Sequence, residues 1–432
     1  MPCIQRRRLL QALAGASTMW AMPNLWAQSD VNRHRGEAGR LVLLFLRGAY
    51  DGLSALVPHG DPNYYALRPN IAIPKPDGST QSALALDAHF GLHPAMEALL
   101  PLWKQGVLGV VPAAGSPDAT RSHFDAQHHW ETGIPGKSSS ADGWMNTLAG
   151  LQGNMPPFEG ANQPIRNPAA AIGVGEANPL ILAGAVNVQR VPKGQTATRQ
   201  GALGNQRTRD AILQLYAGDD ALSRTFRTGA DSRAQTANTL NMDADGRQMD
   251  SAQMLAANNG AGPAQGLLLD AQHLGTLMRQ NKNLRLGFLS AGGWDTHANQ
   301  GNVIGALANS LGNLAATLVQ LRRDFAQPHD VVMVCSEFGR TAAENGTRGT
   351  DHGHGNALWL MGSQVNGGRW HGAWDGLASG KLHEGRDLPV HHDFRAVFAQ
   401  VLRVNQGLRA AELDRLFPGF AWDASLNGLM RG

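Results

Sequence analysis

The strongest constraint on the fold is a run of five apolar residues, VVMVC at 331–335, that breaks off into a polar loop. A run without polar alternation fits a central strand of a parallel sheet covered on both faces. The loop after it carries Glu337, Asp351, His352 and His354. In open α/β sheets, ligands sit just beyond the carboxyl ends of strands. Carboxylate oxygen and imidazole nitrogen together form a donor set for zinc, manganese or a similar divalent ion. A surface loop with solvated histidines is the plainer reading of this stretch alone, but the pattern recurs. RLVLLFL at 40–46 runs into Arg47, Gly48 and Asp51, and LRLGFL at 284–289 runs into Gly292, Gly293, Asp295 and His297. Asp51, followed by Gly52, fits a turn as well as it fits a metal ligand.

A further strand, VLGVV at 107–111, leads to Arg121, Ser122 and His123 at the start of an amphipathic helix that runs through Trp130 and stops at Gly133. A helix N-terminus favours an anion, which makes the Ser122 hydroxyl a candidate nucleophile. Thr120 or Ser122 equally fits a helix cap. Helical spacing predicts helices over 93–104, 303–323 and 395–402, and short strands are expected at 169–174, 179–183 and 357–361. His391 and His392 read as a cap region. Residues 58–90 are loop-rich, and 153–168 reads as linker or loop. Residues 188–263 are poor in large apolar side chains, with helices expected near 208–216 and 266–279 and disorder within 225–262. The stretch from about 155 to 280 is expected to form an insertion or cap over the sheet, where selectivity would lie.

At 432 residues the chain has room for one large α/β domain or two smaller ones. Its N-terminus reads as a twin-arginine signal peptide over 1–27: Arg6, Arg7 and Arg8 precede a weakly apolar segment, and Ala27 suits a signal peptidase. The apolar segment is too short and too rich in Gly, Ser and Thr to span a bilayer. Loss of 1–27 lowers Lys+Arg from 37 to 34, equal to the 34 Asp+Glu. The mature chain is then near neutral, which gives no case for nucleic-acid binding. Cys3 leaves with the signal, and Cys335, alone in an apolar strand, is expected in the core with no disulfide.

Several motifs together identify a family. They are Phe45-Leu46-Arg47-Gly48 with Asp51-Gly52-Leu53, Arg121-Ser122-His123-Phe124-Asp125-Ala126-Gln127, Gly292-Gly293-Trp294-Asp295-Thr296-His297, Ser336-Glu337-Phe338-Gly339-Arg340-Thr341, and Asp351-His352-Gly353-His354-Gly355. With them the chain, over about 41–420, resembles the exported bacterial family catalogued as domain of unknown function 1501. That family is similar to the alkaline phosphatase and sulfatase superfamily. The resemblance implies a central mixed, mostly parallel sheet sandwiched by helices, within a domain spanning 28–432. It also implies one or two divalent ions (zinc, manganese or calcium) and attack on a phosphate or sulfate ester.

On this reading Asp51, Asp295, His297, Glu337, Asp351, His352 and His354 surround the metal, and Asp351 could instead orient a histidine. Ser122 attacks, with His123 and Arg121 in the catalytic group and Arg47 and Arg340 as further candidates for an anion clamp. Three departures are visible, the first being that Asp295 and His297 stand closer together than the superfamily's usual spacing. Phe338 stands where the superfamily keeps a histidine, and the count back from Gly133 falls on His123 rather than Ser122. The expected product is a periplasmic or secreted metal-dependent hydrolase whose partners are the twin-arginine export machinery and a small-molecule or polymer ester. The rival is a non-catalytic, metal-stabilised envelope protein that binds a partner or surface polymer.

Overall fold

A computed structural model describes residues 39–136, 142–153, 170–175, 179–199, 201–241 and 266–432. The predicted signal peptide, Cys3, and most of the linker at 153–168 lie outside the described residues, as does 242–262 of the stretch expected to be disordered.

The centre is an eight-stranded sheet. In chain order its strands are β1 (Leu41–Leu46), β2 (Leu108–Gly115), β3 (Ala171–Gly175), β4 (Gln189–Pro192), β5 (Leu286–Ala291), β6 (Val331–Cys335), β7 (Asn356–Gly362) and β8 (His392–Asp393). They lie in the order β8-β2-β7-β6-β1-β5-β3-β4. β7 runs antiparallel to both its neighbours, and every other pairing is parallel. This is the mixed, mostly parallel sheet expected. β1 and β6 sit in the middle because both faces of each are apolar. Val42, Leu44 and Leu46 of β1 join the core beneath α5 (Gly266–Gln280) and α6 (Ala306–Asp324). Leu41, Leu43 and Phe45 face the opposite core, with α1 (His123–Thr132), α2 (Trp144–Gly153), α7 (Phe394–Asn405) and α8 (Ala410–Leu416). Cys335 is a free, buried core thiol. Among the described residues, no helix is long and apolar enough to cross a membrane.

Four local expectations change. The apolar stretch 179–183 forms a 3-10 turn, Leu180–Leu182, because Ile181 and Leu182 enter the core while the Ile181 N–H donates to Glu131 rather than to a neighbouring strand. The helix expected over 93–104 is a 3-10 turn, Pro94–Leu99, continued by Leu100–Lys104; Pro101 lacks the N–H that a single α-helix would need there. Residues 155–280 do not form only a cap. β3 and β4 extend the central sheet, α5 packs on it, and among the described residues α3 (Gln206–Leu215) and α4 (Ala221–Leu240) stand as extra helices. α4 covers part of the stretch expected to be disordered. Asp220 caps it by accepting from the Ser223 N–H.

The buried face of α5 carries a pH-sensitive group. His273 is 5% exposed and burial pushes its pKa down to about 4. The unfolded chain binds the proton near pH 6.5, so the folded state loses stability as pH falls from about 6.5 towards 4. At pH 5 this one group contributes a deficit of about 2 kcal/mol relative to neutral pH. Urea unfolding at pH 7 and pH 5 should show that His273→Leu removes about this much of the acid sensitivity. An unchanged pH dependence in the variant would contradict the assignment.

Candidate metal centre

Three loops leave the sheet at its carboxyl edge and are locked together by Arg340. Its buried guanidinium donates to the carbonyls of Gly48, Ala49, Trp294 and Thr350 and, at 2.5 Å, to Asp295 Oδ1. Gly48 has φ +112°, and a Cβ there would sit 2.9 Å from the Asp295 nitrogen. Only glycine lets the loop after β1 approach the loop after β5 this closely. The loop after β6 folds back on itself: Arg340 bridges His352, and the Gly353 N–H donates to the Gly339 carbonyl at 2.8 Å. This return places His352 over the strand end. The loop after β5 is tied to it through the His297 carbonyl, which accepts from Asn345 Nδ2 and Thr347 Oγ1.

His123, His297 and His352 meet above these loops. His352 Nε2 lies 3.0 Å from His123 Nε2 and 3.0 Å from His297 Nε2. Asp295 adds its carboxylate: Oδ1 is 2.9 Å from His297 Nε2 and 3.3 Å from His352 Nε2, and Oδ2 is 3.6 Å from His123 Nε2. One donor atom each from His123, Asp295 and His352 can be chosen so that all lie within 4.8 Å of one another.

Each ring is fixed from behind. His123 Nδ1 is 2.8 Å from Glu337 Oε1, His297 Nδ1 is 3.0 Å from Asp351 Oδ1, and His352 Nδ1 is 2.9 Å from the Arg121 carbonyl. Burial pushes Glu337 up, but bonds from His123 and Gln127 outweigh it and hold the carboxyl below its usual range. Bonds from Asn345 and His297 likewise hold Asp351 low. These carboxylates and the carbonyl can only accept, so each Nδ1 carries the hydrogen and each Nε2 presents a lone pair. Neighbouring Nε2 lone pairs 3.0 Å apart repel unless a positive charge lies between them. An outer oxygen on Nδ1 with Nε2 aimed inward is the usual arrangement of a metal-binding histidine. His123, His352 and Asp295, with His297 against the last two, therefore fit a divalent cation, and imidazole donors suit zinc and related transition metals better than calcium. The bond to Glu337 raises the His123 pKa, burial lowers that of His352, and Asp295 is pushed up by burial but held low by Arg340.

The sequence-predicted residues divide. Asp295, His297 and His352 come together, and His123, expected to take part in the chemistry, joins them as a donor. Glu337 and Asp351 stand behind the histidines, not among the converging atoms. Glu337 is fully buried, and it also accepts from the Gly48 N–H, Gln127 Nε2 and Ser336 Oγ. His354 is not brought to the centre; its buried ring packs on His383, and burial pushes its pKa down to about 4. Asp51 is also held apart, paired with Arg68. Ser122 caps α1, its Oγ accepting from the Asp125 N–H.

None of the three arginines expected as anion clamps has a free guanidinium. Arg121 pairs with Asp387 and Glu384, Arg47 pairs with Glu131 and donates to Gln127, and Arg340 orients Asp295. Phe338 stacks on His123 at 4.9 Å between ring centroids and gives that ring an apolar wall. Gln127 and Asn345 are not among the site residues that the sequence predicts, yet they bond Glu337 and Asp351. Gln127 lies one helical turn after His123, a spacing that would have flagged it.

The profile of a family described as "Protein of unknown function (DUF1501)" matches residues 38–417. No curated protein matches the sequence. Among solved structures, the chain is similar to alkaline phosphatase from the Antarctic bacterium TAB5, with 11% identity and a TM-score of 0.36 over 86% of this chain and 100% of that one. It is similar to the PsFucS1 sulfatase from Pseudoalteromonas sp., with 10% identity and a TM-score of 0.36 over 92% and 74% of the two chains. A third is the lipoteichoic acid synthase LtaP from Listeria monocytogenes, with 8% identity and a TM-score of 0.33 over 79% and 67%.

Proposed function

We propose, for a chain that belongs to the DUF1501 family, that it is an exported metal-dependent hydrolase acting on a phosphate or sulfate ester. The observation that carries this reading is the convergence of the His123, His297 and His352 Nε2 atoms with Asp295 at the sheet's carboxyl edge. The motif resemblance to the alkaline phosphatase and sulfatase superfamily supplies the ester class. A divalent cation held there would stabilise negative charge developing on the ester oxygens. Asp295 is kept ionised by Arg340, and the histidines are kept in one tautomer by Glu337, Asp351 and the Arg121 carbonyl. Ser122, at the N-terminus of α1 and next to His123, is the proposed nucleophile. Its Oγ attacks phosphorus or sulfur and the alcohol leaves with a proton; water then frees the acid.

The test is turnover of phosphate and sulfate monoesters by protein loaded with zinc or manganese, before and after a chelator. Turnover should vanish with the chelator and return with the metal. Ser122→Ala should lower turnover at least tenfold while costing about 1 kcal/mol of cap stability. Full turnover in that variant would move the attack to water. A protein that holds metal and turns over no ester would favour the envelope-binding role instead.

Export by the twin-arginine machinery belongs to the same reading, motivated by Arg6 and Arg7 before an apolar segment and by the near-neutral chain after residue 27. N-terminal sequencing of periplasmic or secreted protein should begin at Gln28. A chain that still begins at Met1 in that fraction would count against processing.

A further inference from the structure

The carboxylate after β1 does not do what its position led us to expect. Asp51 lies at the same edge of the sheet as Asp295 and Glu337, in the loop whose Gly48 N–H donates to Glu337. Yet it is fully buried and its oxygens are already engaged. Oδ2 accepts from Ser54 Oγ, Arg68 Nη1 and Gln300 Nε2, each at 2.7 Å, and Oδ1 accepts from Arg68 Nη2 at 3.1 Å. Both oxygens are thus engaged: three donors crowd Oδ2, and the guanidinium also holds Oδ1.

Arg68 is equally committed. Its side chain is 0% exposed, Nε donates to the Ala342 carbonyl at 2.8 Å, and Nη2 donates to the Thr341 carbonyl at 2.9 Å. His93 packs in the same region, but both its ring nitrogens are in use, one facing the Asn302 carbonyl and the other accepting from the Ala95 N–H. A cation at Asp51 would have to displace a buried guanidinium that has no water to receive it, at a cost of several kcal/mol on the order of a buried-charge penalty. Among the described residues, the metal-donor side chains that lie close enough to share an ion, His123, Asp295 and His352, belong to the candidate metal centre, and Asp51 is not among them.

We infer that this protein holds one divalent cation and not two, and that the Arg68 guanidinium is a built-in positive charge at the carboxylate that would otherwise take the second. The inference rests on the proposed metal centre. The two strand-end carboxylates then differ: Asp295 faces the histidines, where an ion would bind, and Asp51 carries a permanent organic cation fixed in the core. A paired-ion clamp on attacking and leaving oxygens is then not the arrangement this chain uses.

Metal stoichiometry decides it. The full chain is stripped with chelator, titrated with zinc or manganese and analysed for metal per chain. One ion per chain is expected, with the same value in Asp51→Asn. Two ions per chain overturn the inference and leave the centre standing, most directly if the count falls to one in Asp51→Asn. No bound ion overturns the centre itself and this inference with it. If Asp51→Asn does not fold, the wild-type count decides alone, and His352→Ala, which removes the centre without touching Asp51, shows which site any ion occupied.

Discussion

If His123, His297, His352 and Asp295 hold the proposed ion, replacing His352 by alanine should remove it and, with it, ester turnover. His352 Nε2 is the atom that touches both other imidazoles, at 3.0 Å each, and it also faces Asp295 Oδ1. Without it the donor set loses the member that links His123 to His297. Loss of an outer hydrogen-bond partner typically lowers metal affinity about 10–100-fold, and loss of a central donor should exceed that. Elemental analysis and isothermal titration with zinc should therefore show affinity falling more than 100-fold, taking the upper end of that range as the floor. Glu337→Gln gives the calibrating contrast. Its amide can still accept from His123 Nδ1, but without the charge, so the loss should stay within about 10–100-fold. Equal losses in the two variants would mean that His352 does not bind the ion. The fold should survive His352→Ala, because the loop is also held by Arg340 and by backbone bonds on either side of Gly353.

The parts of this site that the sequence revealed are those governed by a local rule. A buried apolar strand that breaks off into a loop with a carboxylate marks the edge of a parallel sheet, and three such endings are visible at Asp51, Asp295 and Glu337, the first two with glycine before the carboxylate. The sheet followed from the same apolar runs. What the sequence hid was the division of labour among side chains that are distant along the chain. Glu337 and Asp295 look alike as strand-end carboxylates. One is buried behind His123 and the other faces the cluster, because Gly48 lets the loop after β1 pass beside Asp295 while its N–H donates to Glu337. His354 and His352 differ by two positions in a glycine-rich turn, yet the turn aims one at the centre and the other at His383. α4 was missed because its composition is polar and it packs at the periphery, so hydrophobic spacing carried little signal. Arg68 was invisible for another reason: a lone arginine in a loop-rich stretch offers nothing until its partner Asp51 is seen to be buried.

Arg68→Ala should cost the fold about 3–5 kcal/mol, the range for removing one partner of a buried pair. That is a large share of the roughly 5–15 kcal/mol that holds a domain together. The loss comes less from the missing attraction than from what is left behind: an ionised Asp51 at 0% exposure with Ser54 and Gln300 as its remaining side-chain donors. The pH dependence separates this cause from a simple packing defect. In the wild-type protein burial pushes the Asp51 pKa up, but Arg68 outweighs it and holds the carboxyl below its usual range. A depressed folded pKa contributes stability that is present above the unfolded value of about 3.9 and is lost only as pH falls below it. In the variant burial is opposed by the Ser54 and Gln300 bonds without the guanidinium's charge, and the folded pKa should rise above the unfolded one, so the penalty grows as pH climbs past about 3.9. The deficit between variant and wild type should then be largest near neutral pH and narrow at about pH 4.5. Urea unfolding of both proteins at the two pH values measures it, and the histidine titrations they share cancel in the difference. A deficit below about 1 kcal/mol, or one that does not change with pH, would mean that Asp51 is not the charge Arg68 neutralises.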